Sequence, residues 1–397
     1  MAQRKRRVKY FVIILIFIIY FLTAARPIPK ETVLTPAWLS SLGSVHITGL
    51  PDEFINDDET REHGLHFLSD RSDLNINIDT APVPFTLYSR FGFVNAAGQF
   101  ALNKIKSNEI YLSQNMWTEY GAEPSSITIN KIDDNSEIKI NDPKGYPVLL
   151  DNRIFILGSE HNSLSEIDSD GNIFWTYEFG APLTAIDAAA DLVVTGSLDG
   201  AIEVFNLSGE RIFYFEPGGS QYSVILGCAM SRNGMRIGVI CGIEPQRFLL
   251  LERLGNSGDY KVVYHDPLET GFRRPVRVQF IDDDQRIVFE RAGGLGCYNI
   301  KSRHKMFIPL DGEITAFDGS GENGFFFLTT SHNQRIMKLI GIKFPPEKLI
   351  NLSKMEAKDT VFIKALFKSD DVYIGRISPM LIAGGGTSLI SFVLEEK

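Results

Sequence analysis

The residues best suited by type and spacing to bind a metal ion lie in the segment DSDGN, residues 168–172. Asp168 and Asp170 could supply two carboxylates to a calcium ion. A calcium loop of the EF-hand type needs more oxygen ligands than these, including a glutamate at its twelfth position. Counted from Asp168, that position is Phe179. The segment is therefore predicted to be a tight turn between two strands, where Asp and Gly accept unusual backbone dihedrals.

The other residues that could do chemistry form no recognisable constellation. His63 and His66 are three residues apart but lie in a charged segment without periodicity, and the acidic triplet 282–284 is typical of a solvated loop. The glycine-rich stretches 292–296 and 383–387 are not phosphate loops, and the chain has no H-E-x-x-H or G-x-S-x-G motif. We therefore predict no catalytic, cofactor-binding or metal-binding residue and no enzyme activity.

The cysteines of the chain are few and scattered. They are Cys228, Cys241 and Cys297. They form no C-x-x-C pair and have no zinc-site spacing. Cys228 and Cys241 lie in apolar, strand-like sequence and are predicted to be small core residues. One disulfide bond among the three is left open as an alternative, although the fold does not need it.

The turn at residues 168–172 belongs to a repeat. The turn lies within residues 158–177, and a second segment, GSLDGAIEVFNLSGERIFYF at residues 196–215, matches these residues at an offset of 38. The matched turn residues are Asp168, Gly171 and Trp175 in the first copy and Asn206, Gly209 and Phe213 in the second. Further copies lie near Asn95, Asp133, Gly255, Ser302, Ile342 and the C-terminal SFVLEEK. Up to eight units at spacings of roughly 35 to 50 residues indicate a β-propeller.

The elements that must position these turns are short strands. From about Ala81 the sequence consists of alternating apolar runs broken by Gly, Asn and Asp, such as RIFILGS and DLVVTGS. We predict an all-β domain over residues 81–397, a single propeller of seven or eight four-stranded blades. The last strand, residues 387–393, is expected to pair with N-terminal strand material, because closing the ring removes open sheet edges.

The repeat resembles that of the pyrroloquinoline-quinone-like (PQQ-like) propellers, whose pattern is an Asp, a Gly a few residues on and a Trp four residues after the Gly. The first copy matches this pattern, and the second matches it with substitutions. The segment SRNGMRIGVICG, residues 231–242, is similar to the Ser-Pro-Asp-Gly turn of WD40-type propellers, with Arg232 and Asn233 in place of Pro and Asp. The resemblance implies an architecture and says little about activity, because propellers carry many unrelated functions.

The resemblance also raises an expectation about cofactors. Quinone-dependent dehydrogenases with this repeat use an adjacent pair of cysteines and a calcium ion in the active site. This chain has no adjacent cysteines, and none of its residues matches a calcium ligand of that family. No quinone or metal cofactor is therefore implied.

The N-terminus combines a basic cluster with an apolar run. Residues 1–7 are predicted to be a cytoplasmic basic tail, and residues 8–25 a transmembrane signal anchor, because the positive flank stays in the cytoplasm. Thr23 and Ala25 could instead occupy the −3 and −1 positions of a signal-peptide cleavage site. We predict a single-pass inner-membrane protein with its body in the periplasm or another extracytoplasmic space, joined through a tether and lead-in at residues 26–80.

The charge of the chain limits its partners. The 397 residues are 44% hydrophobic and 22% charged, with a formal net charge of −9. The N-terminal cluster contains five basic residues, Arg4, Lys5, Arg6, Arg7 and Lys9. Without them the chain has 35 basic against 49 acidic residues, a net charge of −14. Such an acidic body argues against binding nucleic acid or an anionic bilayer through the main surface.

One segment has the composition of a protein contact, TGFRRPVRV at residues 270–278. Its candidate contact residues are Phe272, Arg273, Arg274 and Arg277, because aromatic residues and arginine are enriched at interfaces. The alternative is an exposed strand start whose charges lie in solvent.

The expected function is a membrane-tethered propeller that serves as a protein–protein docking scaffold in a cell-envelope complex. It is similar to PQQ-like propellers that help assemble outer-membrane proteins, although their usual lipid anchor is missing here. The alternative function is a small-ligand sensor, or a quinone- or metal-dependent enzyme, that works from the central funnel.

Overall fold

The computed structural model describes most of the chain from residue 80 onwards and parts of the sequence before it. The described residues are 14, 15, 20, 32–42, 65–67, 80–87, 89–255, 258–268, 271–319, 321, 324–332, 336–344, 360–367, 371–378 and 380–396. Ile14, Leu15 and Tyr20 are helical. Among the described residues, no helix is long and apolar enough to cross a membrane. The predicted basic tail and most of the predicted anchor lie outside the described residues.

The chain divides into two compact units. The larger is Thr35–Val393, and the smaller consists of Met1–Leu34 and Leu394–Lys397. In the smaller unit the described side chains of Ile14, Leu15 and Tyr20 are exposed. The larger unit contains the propeller.

The described strands form eight antiparallel sheets, which we call blades 1 to 8. The first two strands of the chain are β1 (Thr32–Ser41) and β2 (Leu65–Phe67). Blade 1 contains three described strands, β3 (Val83–Thr86), β4 (Arg90–Val94) and β5 (Phe100–Ile105). Blade 2 contains β6 (Glu109–Leu112), β7 (Met116–Tyr120), β8 (Ser126–Lys131) and β9 (Glu137–Asn141). Blade 3 contains β10 (Gly145–Leu150), β11 (Arg153–Gly158), β12 (Ser163–Ile167) and β13 (Ile173–Glu178).

Blades 4 to 7 are each a meander of four strands. Blade 4 contains β14 (Leu183–Ala189), β15 (Leu192–Ser197), β16 (Ile202–Phe205) and β17 (Arg211–Phe215). Blade 5 contains β18 (Tyr222–Met230), β19 (Arg236–Ile243), β20 (Gln246–Arg253) and β21 (Tyr260–Leu268). Blade 6 contains β22 (Val278–Ile281), β23 (Arg286–Arg291), β24 (Gly294–Asn299) and β25 (His304–Pro309). Blade 7 contains β26 (Glu313–Phe317), β27 (Phe325–His332), β28 (Ile336–Lys343) and β29 (Val361–Phe367).

Blade 8 joins the two ends of the chain. Its C-terminal strands are β30 (Val372–Ile377), β31 (Met380–Gly385) and β32 (Ser388–Glu396). The strand order in this sheet is β2-β1-β32-β31-β30, and the Leu42 N–H donates to the Thr387 carbonyl over 2.8 Å just beyond the β1–β32 pair. The prediction that the last strand pairs with an N-terminal strand is therefore confirmed. The N-terminal partner, β1, lies within the segment 26–80 that the sequence assigned to a tether.

The apolar core of the propeller lies between neighbouring blades. First strands of adjacent blades contact each other, as β14 contacts β18 and β18 contacts β22, so these strands lie innermost. All six residues of β15 are buried, because this strand packs against a neighbour on each face of its sheet. Val194 and Val204 of blade 4 belong to the same buried cluster as Val239 of blade 5. The sequence therefore predicts the architecture correctly, and the structure sets the number of blades at eight.

The eight turn positions counted in the sequence fall one to a blade, and in blades 2 to 7 each lies at or near the end of the third strand. In blade 3 the Asp168 Oδ1 accepts the N–H groups of Asp170 and Asn172 over 2.9 and 2.8 Å. In blade 4 the Asn206 Oδ1 accepts the N–H of Glu210 in the same way, over 3.0 Å. Gly171 and Gly209 have φ angles of +85° and +75°, which glycine adopts without strain.

Trp175 links blade 3 to blade 4. Its ring lies against Gly209 of the next blade and stacks on Phe205 with 6.2 Å between ring centroids. Its Nε1–H donates to Glu166 Oε2 over 2.6 Å, and the Glu166 carboxylate also accepts two hydrogen bonds of 2.7 Å from Arg153. Phe213 is the matching residue of the second copy, and its ring centroid lies 5.2 Å from that of Tyr260 in blade 5.

A third residue of this kind was not identified from the sequence. Trp38 in β1 is fully buried, and its Nε1–H donates to the Ala96 carbonyl in the turn of blade 1 over 2.8 Å. Trp38 therefore joins blade 8 to blade 1 as Trp175 joins blade 3 to blade 4. The turn that Trp38 contacts, at Asn95, carries the repeat signal. Trp38 lies far before that turn in the sequence, so the repeat does not identify it.

Candidate functional site

The ends of the strands define two faces of each four-stranded blade. In an antiparallel meander the turns between strands 1 and 2 and between strands 3 and 4 lie at one end, which we call the turn face. The turn between strands 2 and 3 and the connections between blades lie at the other end, which we call the linker face. Residues 271–277 lead from blade 5 into β22 and therefore lie on the linker face.

The structure brings the four predicted contact residues together but gives them different partners. Arg273 pairs with Glu244 over 2.7 Å, and the Arg273 side chain is 74% exposed. Arg274 pairs with the two carboxylate oxygens of Glu290 over 2.6 and 3.2 Å, and its guanidinium lies 4.4 Å from the centroid of the Phe272 ring. Arg277 is exposed, and its side chain makes no ion pair within the described part of the chain.

Arg274 has a structural role that the sequence does not show. The Glu290 side chain is only 2% exposed, so its charge depends on the bidentate pair. The hydrogen bonds that Arg274 donates to Glu290 raise the pKa of Arg274. Removing Arg274 would leave a buried carboxylate unpaired, which costs about 3–5 kcal/mol. Among the three arginines, Arg273 and Arg277 are therefore the ones available to a partner.

Two exposed residues, one in blade 5 and one in blade 4, extend this surface. Tyr222, at the start of β18, is 52% exposed, and Leu198, in the turn after β15, is 54% exposed. The Gln221 N–H donates to the Glu244 carbonyl over 2.9 Å, which places Tyr222 beside the Arg273–Glu244 pair. The Leu198 turn packs on the start of β18, because a Cβ on Gly200 would lie 2.7 Å from the Ser223 Cβ. We call Leu198, Tyr222, Arg273 and Arg277 the linker-face patch.

The patch has the composition of a protein-binding surface. Tyrosine and arginine are enriched among the few residues that contribute most to binding at protein interfaces. The backbone at Leu198, Tyr222 and Arg277 is fixed by hydrogen bonds, so little backbone entropy is lost there on binding. The sequence analysis identified the arginines and missed Leu198 and Tyr222. Their only sequence signal is an apolar residue next to a glycine- or serine-containing turn, which also occurs in core strands.

The acidic triplet 282–284 is used within the protein. Its three residues form the turn between β22 and β23 on the turn face, and all three have positive φ. Asp282 accepts the Gly324 N–H of blade 7 over 3.0 Å. Asp283 pairs with the Arg232 side chain of blade 5 over 3.0 Å, and Asp284 accepts the Arg232 N–H over 2.9 Å. The turn therefore links three blades.

The histidine and cysteine candidates are not assembled into a site. His66 lies in β2, and His63 lies outside the described residues. In the described part of the chain, no group of three or more His, Cys, Asp or Glu residues could hold a metal ion. The three cysteines are buried free thiols, and burial raises the pKa of Cys241 to about 11 and that of Cys297 to about 12. Thiols with such pKa values are unreactive at neutral pH.

A titratable group that the sequence analysis missed lies on the first strand of blade 4. Asp187 is half-buried, and its Oδ2 accepts the Met230 N–H of blade 5 over 2.7 Å. Its Oδ1 accepts the N–H of Ala188 over 2.9 Å. Burial nevertheless raises the pKa of Asp187 to about 6. The carboxylate joins two innermost strands.

The eight antiparallel blades formed by the described strands define a β-propeller, and a patch of exposed side chains lies on its linker face. The chain belongs to a family of β-propeller proteins, whose family model matches residues 1–383. A protein of Treponema pallidum (strain Nichols), described as an uncharacterized protein, is 24% identical over 323 residues, which cover 81% of this chain and 80% of that protein.

Two solved structures show the same architecture. The computationally designed protein Ika8 superposes with a TM-score of 0.53 at 12% identity, covering 81% of this chain and 98% of Ika8. BamB from Moraxella catarrhalis superposes with a TM-score of 0.52 at 9% identity, covering 81% of this chain and 98% of BamB. At these identities the likeness shows the fold alone.

Proposed function

We propose that this protein is a docking scaffold that binds another protein through the linker-face patch. The observation that carries the proposal is that three exposed side chains lie next to one another on the linker face. Leu198 is in the β15–β16 turn of blade 4, Tyr222 is at the start of blade 5, and Arg273 is in the loop that follows blade 5. A surface of this composition suits a folded protein partner, whose apolar residues would cover Leu198 and Tyr222 while an acidic group pairs with Arg273 or Arg277.

The proposed location is the extracytoplasmic side of the inner membrane, within a cell-envelope complex. Its support is the basic cluster followed by an uncharged apolar run at the N-terminus. The resemblance of the repeat to PQQ-like propellers that help assemble outer-membrane proteins, and the fold shared with BamB, also support it. The scaffold then faces partners in the same compartment.

Co-purification of the full-length chain from detergent-solubilised native membranes tests the docking role. The informative variant combines Arg273→Glu with Tyr222→Ala, because both side chains are exposed and neither supports a buried group. We expect stoichiometric protein partners with the wild-type chain and their loss with this variant. Arg274 is left unchanged, since its substitution would disturb Glu290 and confuse folding with binding.

Arg303→Glu is the matched control. Arg303 is also an exposed arginine, but it lies in the turn between β24 and β25 on the turn face. Partners should remain bound to this variant. A wild-type chain that purifies without any partner would contradict the docking role, and partners that survive the double substitution would place the contact elsewhere.

A reporter that is active only in the cytoplasm tests the location when it is fused to the C-terminus. The full-length fusion is expected to be inactive, and a fusion that starts at residue 26 should be active because it lacks the predicted anchor. Equal activity of the two fusions would contradict the export of the body.

A further inference from the structure

A cavity of about 170 Å³ lies between the outer strands of blades 5 and 6. Its walls come from β20 and β21 on one side and from β23, β24 and β25 on the other. We call it the interblade cleft. Its size is close to that of an engineered protein cavity of about 150 Å³ that binds benzene. The cleft therefore has room for one aromatic ring and a small substituent. It is separate from the linker-face patch and does not rest on the docking role.

Aromatic rings form the walls of the interblade cleft. Phe248 of blade 5 and Phe289 of blade 6 stack with 4.3 Å between centroids and 16° between planes. Tyr264 and Tyr298 form a second stacked pair, at 4.1 Å and 22°. Within each pair the rings cover one of each other's faces, so a planar ligand ring is favoured by edge-to-face contact with them or by stacking on an outer face. Burial raises the pKa of Tyr264 to about 12, so its hydroxyl is neutral at physiological pH and does not repel an anion.

Arg291 supplies a cation that has no acidic partner within the described part of the chain. Its guanidinium lies 4.4 Å from the centroid of the Phe307 ring, and both residues line the cleft. Its Nε is buried without a hydrogen-bond acceptor. Burying a hydrogen-bond donor without an acceptor destabilises the folded protein. A carboxylate is the acceptor best suited to a guanidinium, because it accepts two parallel hydrogen bonds from it.

The remaining charges of the cleft favour a ligand with one negative charge. Lys305 pairs with Asp266 over 2.7 Å, so these two lining residues neutralise each other. Arg291 is then the uncompensated charge among the residues that line the cleft. A monoanion balances it, whereas a neutral ring leaves Arg291 without an acceptor.

We propose that the interblade cleft binds a small planar aromatic carboxylate. The ring lies against the walls formed by Phe289 and Tyr298, and the carboxylate accepts hydrogen bonds from Arg291. Ligand binding at this place bridges blades 5 and 6 near the outer edge of the propeller. It differs from a ligand in the central funnel, which the innermost strands would contact.

Benzoate is the probe for this proposal, with benzyl alcohol and acetate as partial analogues. Benzyl alcohol keeps the ring without the charge, and acetate keeps the carboxylate without the ring. Isothermal titration calorimetry on the full-length chain in detergent is expected to show benzoate binding at least about tenfold tighter than either analogue, as a charged hydrogen bond inside a cleft allows. Absence of benzoate binding, or equal binding of the three probes, overturns the proposal.

Two substitutions locate the site. Arg291→Met keeps the length and apolar stem of the side chain and should weaken benzoate binding at least about tenfold, while binding of benzyl alcohol stays unchanged. Arg253→Met is the matched control, because Arg253 also has a buried Nε without an acceptor and faces an aromatic ring, that of Tyr260 at 6.0 Å, but it does not line the cleft. It should bind benzoate as the wild type does.

A third variant keeps the test decisive if Arg291→Met fails to fold. Arg291→Lys retains the charge and loses the planar fork of donors, so it should fold and bind benzoate several-fold more weakly than the wild type. Thermal unfolding of each variant checks that it is folded. Wild-type benzoate affinity in a folded Arg291→Met or Arg291→Lys variant overturns the assignment of Arg291.

Discussion

Trp175 shows how a single side chain holds two blades together. The ring packs on Gly209, and its N–H satisfies a carboxylate that Arg153 also binds. Trp175→Ala should lower the free energy of unfolding by about 3 kcal/mol, because it removes a large ring and leaves Glu166 without one donor. Denaturant unfolding measures the change.

The neighbouring Phe174 provides the comparison for Trp175. It is 61% exposed, so Phe174→Ala should change stability by less than about 0.5 kcal/mol. Similar losses for the two substitutions would mean that the docking of Trp175 contributes nothing beyond its general hydrophobicity.

Asp187 makes stability depend on pH. Because burial raises the pKa of Asp187 to about 6 in the folded protein, above its unfolded value of about 3.9, the folded state holds the proton more tightly than the unfolded state. This group therefore stabilises the fold below about pH 4, and the contribution is lost as the pH rises towards 6 and above.

Asp187→Asn removes this titration. We expect the stability of the wild type, relative to the Asn variant, to rise by about 2–3 kcal/mol between pH 7 and pH 4. Chemical unfolding of both proteins at several pH values measures this difference. A constant difference across the range would mean that Asp187 titrates normally.

The amino-acid composition of segment 270–278 identified part of the candidate site. The ion pairs of the folded protein then determined which of its arginines are available to a partner. The segment around Arg273 and Arg274 was recognised because arginine and aromatic residues stand together. The sequence could not separate the two arginines, because Glu290 lies on β23 and only the fold brings it to Arg274. Tyr222 and Leu198 were missed for the same reason, since exposure is a property of the folded blades.

At the scale of elements, the turns and the closure of the ring by the last strand were predictable, whereas the identity of its N-terminal partner, β1, was not. An Asp or Asn followed by Gly is a local signal, because the side chain caps the turn and glycine takes the positive φ. That signal gave the period and the number of units. Strand β1 has no such turn, and its partner β32 lies at the other end of the chain, so no local pattern connects them.

Gly209 tests whether the repeat turn needs glycine. Its φ is +75°, and a Cβ there would lie 2.5 Å from the Trp175 ring. Gly209→Ala should therefore destabilise the protein by more than about 2 kcal/mol, from backbone strain and from displacement of the ring. Thermal or denaturant unfolding gives the value.

Gly218 is the control for Gly209. It lies in the connection between blades 4 and 5, and a Cβ there would meet nothing within 4 Å. Gly218→Ala should be neutral or stabilise the fold by up to about 1 kcal/mol, because alanine lowers the entropy of the unfolded chain. Equal effects at both positions would contradict the importance of the turn.

For the whole molecule, stability depends on closing the ring. Strand β32 lies between β31 and β1, so deleting residues 388–397 exposes an edge on each of them. We expect loss of the cooperative unfolding transition of the entire propeller and faster proteolysis throughout, not only at one end. Deletion of residues 395–397 alone should leave the transition in place, because the pairing from Met380 to Val393 remains. A shortened chain that melts like the full one would show that the other blades do not need closure.

The pairing of β1 with β32 also sets an order of events during synthesis. β1 and its sheet partner β32 are separated in the sequence by about 350 residues. At about 5–20 residues per second, the edge of β1 that pairs with β32 stays open for about 20 to 70 s during synthesis, while β2 can already pair with the other edge. Blades 2 to 7 can fold as they emerge, because each is continuous in sequence, while blade 8 must wait until β32 has been made. An open strand edge is prone to pairing with another chain, so β1 is exposed to mispairing with a second nascent copy during that interval.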